Sequence, residues 1–173
     1  VIQIGRSFLY LTGCTEGDAT STSADALFHD ELDLSPQNII GLYQSRLQNS
    51  TWKITQRFST PSFVGIGIDK AYSNSDQREF VCKCLSCGHY NIPDFSPEFL
   101  HIEGFPDDLE NLIDLTVEQA EALDLDASYV CCQKCRSRLE LSNPSVREWV
   151  PMYPSRTLVR GYRVRPFSTS RLD

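Results

Sequence analysis

The sequence predicts an α/β fold carrying a metal-stapled insertion. Three observations point there. Apolar segments alternate strand, helix, strand through the first 60 or so residues. Two C-x-x-C pairs, Cys84/Cys87 and Cys132/Cys135, stand 44 residues apart. Asp and Glu are the only formally charged residues between them. At 173 residues and 40% hydrophobic content the chain can bury a core as one domain, or as one domain with an insertion. The composition excludes wholesale disorder, and no apolar run approaches the roughly 20 residues of a spanning helix. Val1 to Gly13 lacks the layout of a signal peptide. No initiator Met is present, so the chain is expected to begin within a longer protein.

Ser7–Thr12 reads as a buried strand, and the Gly/Ser/Thr-rich Gly13–Ser23 as a loop. Ala24–His29 is an apolar strand ending in Asp30-Glu31. Ser35-Pro36 opens a helix, since Ser can cap and Pro suits the first helical position. Ile39, Ile40, Tyr43 and Leu47 then recur at helical spacing to about Gln48. Trp52–Phe58 alternates as a strand and runs into Ser59-Thr60-Pro61. Ile68–Ser75 reads as a short helix and Arg78–Val81 as a strand entering the cysteines. Ser96-Pro97 is a further helix start, and Thr116 with Gln119 fits a capping box. Leu139–Leu141, Glu148–Val150 and Tyr162–Phe167 read as short strands. There is no internal repeat.

The net charge of −7 is unevenly distributed. Residues 1–87 are close to balanced. Residues 88–133 hold 11 acidic and no basic side chains, and residues 134–173 hold 9 basic and 3 acidic ones. Overall acidity argues against nucleic-acid binding only if the charge is spread evenly. A basic tail with interleaved aromatics can track phosphates, or it is an exposed strand with charged outward positions.

Four paired thiolates are the ligand number of a closed tetrahedral zinc site. Gly88 follows the first pair and tolerates the left-handed turn that points N–H groups at sulfur. The 44-residue separation exceeds that of a compact ribbon, so the acidic segment is read as an elaborated ribbon loop. Disulfides or buried free thiols are the competing readings, and disulfides need an oxidising compartment. Cys82 and Cys131 are spare thiols that could exchange into the ligand set. His89 reads as a surface group beside the site, and Cys14 as a small buried residue.

An apolar strand ending in Asp-Glu suits nucleoside-triphosphate hydrolysis. One carboxylate holds the magnesium shell and the next activates the attacking water. Hydroxyl groups at the end of an adjacent strand, here Ser59-Thr60, can sense the γ-phosphate, or Ser-Thr-Pro is a simple turn. No G-x-x-x-x-G-K-[ST] occurs, so the usual triphosphate cradle is missing. Either the hydrolase reading fails or that loop lies before Val1, which the absent Met favours.

The order S-F-L-Y-L-T-G, S-A-D-A-L-F-H-D-E-L-D, F-S-T-P-S, Ala71-Tyr72-Ser-Asn-Ser75-Asp76-Gln77-Arg78, C-x-x-C-G-H, the second C-x-x-C, Trp149 and Gly161-Tyr162-Arg-Val resembles the large terminase subunit of lambda-like tailed phages. The resemblance spans nearly the whole chain apart from residues 91–127, and Y-x-x-S-D-Q-R followed by C-x-x-C-G-H is its most specific part. It implies part of a P-loop NTPase sheet of the catalytic-glutamate type with an inserted zinc ribbon. Residues 1–80 would be the later part of the ATPase core and 81–141 the ribbon with its acidic loop. Residues 142–173 would be a return segment toward a nuclease domain. Asp30 would be the magnesium-side acid, Glu31 the catalytic glutamate, and Ser59, Thr60 and Pro61 the coupling motif. Cys84, Cys87, Cys132 and Cys135 would hold structural zinc. Magnesium and ATP would act in the full-length protein, and this chain alone would be inactive without a phosphate loop.

Double-stranded DNA, the small terminase subunit and the portal are the implied partners. The implied assembly is a homo-oligomeric ring in the cytoplasm of an infected bacterial host, away from any membrane. Asp76-Gln77-Arg78 has no role by resemblance: Arg78 contacts phosphate or pairs within the fold, with the second favoured. The alternatives are a self-contained zinc-ribbon module that binds nucleic acid or protein, and a helicase fragment. The Tyr-Ser-Asp-Gln-Arg stretch followed by the ribbon favours terminase over helicase.

Overall fold

The computed structural model describes residues 1–107, 109–110 and 112–168, and divides into two compact units, Val1–Asn74 and Ser75–Asp173. Among the described residues both units are mixed α/β, built on small sheets.

In the first unit β1 (Ile2–Ile4) and β2 (Ser7–Leu9) form an antiparallel hairpin, α1 (Glu16–Thr20) follows, and β3 (Ala26–His29) leads toward α2 (Gln37–Tyr43). β4 (Ile54–Arg57) then pairs in parallel with β3, Ala26 opposite Ile54 and His29 opposite Arg57, and α3 (Gly67–Ser73) closes the unit. This parallel β3–α2–β4 crossover is the strand–helix–strand alternation read in the sequence. Its core is Ala19, Leu27, Tyr43 and Leu47, with Cys14, Ala24 and Ile39 packed against them. The Tyr43 hydroxyl donates to the Gly13 carbonyl at 2.6 Å, and the Arg46 guanidinium donates to the Thr22 carbonyl. These two bonds lash the segment before β3 to the helix.

Several local expectations change. The strand read at Ser7–Thr12 is only Ser7–Leu9, and its side chains are exposed rather than buried, because its partner is the hairpin strand β1. The loop read at Gly13–Ser23 contains α1, which Thr15 caps by accepting from the Asp18 N–H at 3.2 Å. Ser35 is not the cap of α2. Pro36 takes that place, and the Ser35 hydroxyl donates back to the Glu31 carbonyl at 3.3 Å. The helix tightens into a 3-10 turn over Gln44–Leu47.

In the second unit β5 (Arg78–Lys83) is the central strand. β6 (Tyr90–Asn91) pairs antiparallel at its cysteine end. β7 (Leu100–Glu103), α4 (Val117–Glu121) and β8 (Asp124–Val130) form a helix-bearing antiparallel hairpin. β9 (Arg147–Pro151) pairs antiparallel along β5, and β10 (Tyr162–Arg163) returns parallel at the start of β5. The segment between the cysteine pairs is therefore an ordered hairpin over most of its described length. Its α4 has the expected capping box, Thr116 and Gln119 each accepting from the other's N–H. Ser96-Pro97 opens a turn rather than a helix, because β7 starts at Leu100. Leu139–Leu141 forms no strand; the isolated bridge beside it joins Cys131 to Arg138. β10 stops at Arg163, and a 3-10 turn begins at Pro166, which has no N–H to extend a ladder.

Alternation along β5 and its partners stacks one face of this sheet. The Arg147 guanidinium lies 4.3 Å over the Phe80 ring, Phe80 meets Trp149 at 4.8 Å, Trp149 meets Tyr162 edge-on at 5.2 Å, and Arg78 covers Tyr162 at 5.7 Å. On the other face the buried Glu79 takes two hydrogen bonds from Arg165, at 2.9 and 3.2 Å, and Arg165 also reaches Asp94. Asp76 is buried and holds the start of β5. It accepts from Arg78 Nε at 2.8 Å and from the Gly161 N–H at 3.0 Å, while its own N–H donates to the Val159 carbonyl at 3.0 Å. Arg78 thus pairs within the fold.

Removing Arg165 takes a two-bond charge partner from the buried Glu79. Arg165→Met is expected to destabilise the folded chain by about 3 kcal/mol, while Glu79→Leu with Arg165→Met recovers much of it. Denaturant midpoints of the single and double variants check this.

Candidate functional site

The four paired cysteines converge. Cys84 Sγ lies 3.6 Å from Cys135 Sγ, Cys87 Sγ lies 3.7 Å from Cys132 Sγ, and all four sulfurs fall within 4.8 Å of one another. Zinc–thiolate bonds of 2.3 Å in a tetrahedron require sulfurs about 3.8 Å apart, so the cluster has the size of a metal site. The separation also excludes disulfides, and all seven cysteines are free. The donor set fits one metal ion.

The two pairs are built alike. In the first, the Cys84 N–H donates to the His89 carbonyl at 2.8 Å and the Gly88 N–H to the Cys84 carbonyl at 2.9 Å. In the second, the Cys132 N–H donates to the Ser137 carbonyl at 2.8 Å and the Arg136 N–H to the Cys132 carbonyl at 2.9 Å. Each loop needs a left-handed residue after its second cysteine, and Gly88 supplies φ +72°. The second loop has Arg136 there, at φ 59°, a conformation costing a non-glycine residue about 1 kcal/mol or more. Its guanidinium is locked by the carbonyls of Glu98 at 2.6 Å, Leu100 at 2.8 Å and Pro97 at 3.3 Å. These bonds offset the strain and tie the second knuckle to the segment entering β7.

Asn91, buried at 2% exposure, joins the knuckles. Its side-chain amide donates to the Cys82 carbonyl at 3.3 Å and the His89 carbonyl at 3.0 Å, and its carbonyl oxygen accepts from the Gln133 N–H at 3.0 Å. Sequence reasoning missed both Asn91 and Arg136. The repeated position after each second cysteine was the available signal for Arg136, and nothing local marks Asn91. Cys82 and Cys131 stay outside the sulfur cluster as buried thiols whose pKa burial raises, and His89 is exposed.

The cluster's protonation is uneven. Hydrogen bonding from the Ser137 side chain and backbone, with help from Cys87, brings Cys135 down to about 6. Burial pushes Cys132 upward, but backbone N–H groups of Cys135 and Lys134 outweigh it and the net direction is down. At Cys87 a backbone bond at His89 acts to lower the pKa. Desolvation and the bonds shared with Cys135, Cys132 and Cys84 prevail and hold it near 12. Thiols must give up their protons to take a cation, so metal binding by this cluster is tied to pH.

The first unit carries the other predicted residues. Because β3 and β4 run parallel and in register, Asp30-Glu31 and Ser59-Thr60-Pro61 follow neighbouring strands at one carboxyl edge. The Phe58 N–H donates to the His29 carbonyl at 2.8 Å and the Leu32 N–H to the Phe58 carbonyl at 3.1 Å, which extends the join past the strands. Asp30 is exposed, and its Oδ1 accepts from the Glu31 N–H at 3.1 Å. Glu31 is also exposed and sits in the left-handed region at φ 48°. Ser59 is half-buried and accepts from the Asp33 N–H at 3.1 Å, whereas Thr60 and Pro61 are exposed. His29 is buried under the edge, its ring edge-on to Tyr43 at 5.5 Å and its Nε2 without a partner among the described residues. Burial, then the charge of Arg57, lowers its pKa and so disfavours the charged ring.

No curated protein and no solved structure matches the chain. The family model described as phage terminase large subunit gpA, ATPase domain, matches residues 5–147, a span holding the β3–β4 edge and all four clustered cysteines. With that match over most of its length, the chain belongs to the ATPase-domain family of the phage terminase large subunit gpA, the subunit of a DNA-packaging motor that hydrolyses ATP.

Proposed function

We propose that the β3–β4 pair is the later part of a P-loop NTPase sheet of the catalytic-glutamate type, in a motor that drives double-stranded DNA into procapsids. Asp30 holds the magnesium shell, and Glu31 orients the attacking water and takes its proton. Ser59, Thr60 and Pro61 sense the γ-phosphate and relay its loss. The observation carrying this reading is the parallel register of β3 on β4, with His29 opposite Arg57. It puts both motifs at the carboxyl edge where open α/β sheets bind ligands. Magnesium and ATP supply the scissile phosphate and its charge neutralisation. The phosphate-binding loop is absent from this sequence and has to come from elsewhere in the motor.

On this reading residues 1–80 belong to the ATPase core and 81–141 to a zinc-ribbon insertion. Residues 142–173 return toward a nuclease domain, with residues 169–173 outside the described part. The convergence of four sulfurs within 4.8 Å supports a structural zinc held by Cys84, Cys87, Cys132 and Cys135. The family supports a ring of copies working on DNA with the small terminase subunit and the portal, in the cytoplasm of the infected host.

In the terminase large subunit carrying this chain, Glu31→Gln is expected to leave ATP binding intact and to cut turnover by about 100-fold or more. Turnover at the parental rate overturns the role of Glu31. Elemental analysis of chain purified without chelator should find one zinc per molecule, and Cys132→Ser should lose it. A metal-free parent would leave the four sulfurs as a packing cluster.

Zinc binds thiolate sulfur, so each ligand that is still protonated must lose its proton on binding. Protons and metal compete, so affinity rises with pH and zinc is released on acidification. A chromogenic chelator read across pH 5 to 8 checks the sign.

A further inference from the structure

We propose that Asp33 is a positioning residue that couples the ATP-hydrolysing edge to the loop beyond the Ser59-Thr60-Pro61 motif; this rests on the reading of that edge given above. Three bonds converge on Asp33. Its N–H donates to Ser59 Oγ at 3.1 Å, Oδ2 accepts from the Ser62 N–H at 2.9 Å, and Oδ1 accepts from the Ile68 N–H at 2.7 Å. One side chain therefore holds both ends of the loop 62–68, and its backbone holds the motif's own hydroxyl. The same residue is the middle of the 3-10 turn Leu32–Leu34, which leads directly from Glu31.

The loop is fitted to this staple. Gly67 has φ +53°, and a Cβ there would lie 2.2 Å from Asp33 Oδ1 and 2.6 Å from its Cγ. Space for the carboxylate thus depends on the missing side chain as well as on the backbone angle. The loop tip is apolar and outward, with Phe63 at 71%, Val64 at 93% and Ile66 at 54% exposure. Its shape comes from the Asp33 bonds and from the Gly65 N–H bond to Asp69 at 2.6 Å, not from burial of its own side chains. A shift of Glu31 and its turn on loss of the γ-phosphate moves Asp33, and Asp33 carries the loop base with it. Loosening the staple should leave hydrolysis running while its result no longer reaches the loop.

Asp33→Asn tests this in the terminase large subunit. Asn keeps the volume but presents an NH₂ to one of the two N–H groups. ATP turnover should stay near the parental rate, while DNA packaged per ATP falls about 5-fold or more. Gly67→Ala pushes on the same carboxylate from the opposite side and should lower the same ratio. Its effect should shrink in an Asp33→Ala background, where the clash is gone. Hydrogen exchange on the parent adds a readout independent of activity, with the Ser62 and Ile68 amides slow and those of Phe63 and Val64 fast.

An unchanged DNA-per-ATP ratio in Asp33→Asn, whether both activities persist or both fall together, overturns the proposal. So does unprotected exchange at Ser62 and Ile68 in the parent, which needs no variant to fold. Normal turnover in Glu31→Gln together with an uncoupled Asp33→Asn would defeat the catalytic assignment and leave the staple standing.

Discussion

Four sulfur atoms within 4.8 Å of one another are the constraint on which the second unit depends. Its buried cluster consists of Cys82, Cys84, Cys132 and Leu139, with Val130, Leu141 and Val146 around them. Half of that buried set are metal-ligand candidates, so the core and the metal site are one object. Small apolar cores are marginal on their own, and a bound ion turns binding energy directly into folding energy. The surroundings serve the same constraint: Asn91 bridges the knuckles and Arg136 fixes the second one to the entry of β7.

The first unit works by a different rule. Its candidate catalytic acids are exposed and lightly bonded, whereas the groups beneath them are fixed. Tyr43, the buried His29 and the parallel register of β3 on β4 make the floor, and Asp33 ties that floor to the following loop. Exposed acids on an over-determined floor are what metal and phosphate chemistry needs, because the reacting groups must stay open to ligand while their spacing is held.

Much of this was legible in the sequence because it depends on short-range patterns. Ala26–His29 became a strand, the Ile39/Ile40/Tyr43/Leu47 spacing became a helix, and the Thr116/Gln119 box capped one. The cysteine pairs met as their spacing suggested. What was not legible depends on partners distant in the chain. Ser7–Leu9 looks like a core strand until Ile2–Ile4 pairs with it in an open hairpin. The acidic segment looks like loop because its β7–β8 register joins Leu100 to Val130, across most of the insertion. Asn91 carries no motif, since its bonds reach 42 residues ahead to Gln133.

Three aspartates make the same point about function. Asp30, Asp33 and Asp76 are chemically identical, and each sits in a motif-like string, but their surroundings give them separate work. Asp30 is exposed and takes one bond from the next residue, so its carboxylate remains available to a cation. Asp33 spends both oxygens on backbone N–H groups 29 and 35 residues away and is not free to ligate. Asp76 is buried and committed to Arg78 and Gly161, which explains a conspicuous motif without any ligand. Asp33 reaches Ser62 and Ile68, and Asp76 reaches Gly161, so both act as structural connectors. The outermost of the three differs from both: the Asp30 carboxylate is exposed and bonded only to the neighbouring Glu31 N–H among the described residues.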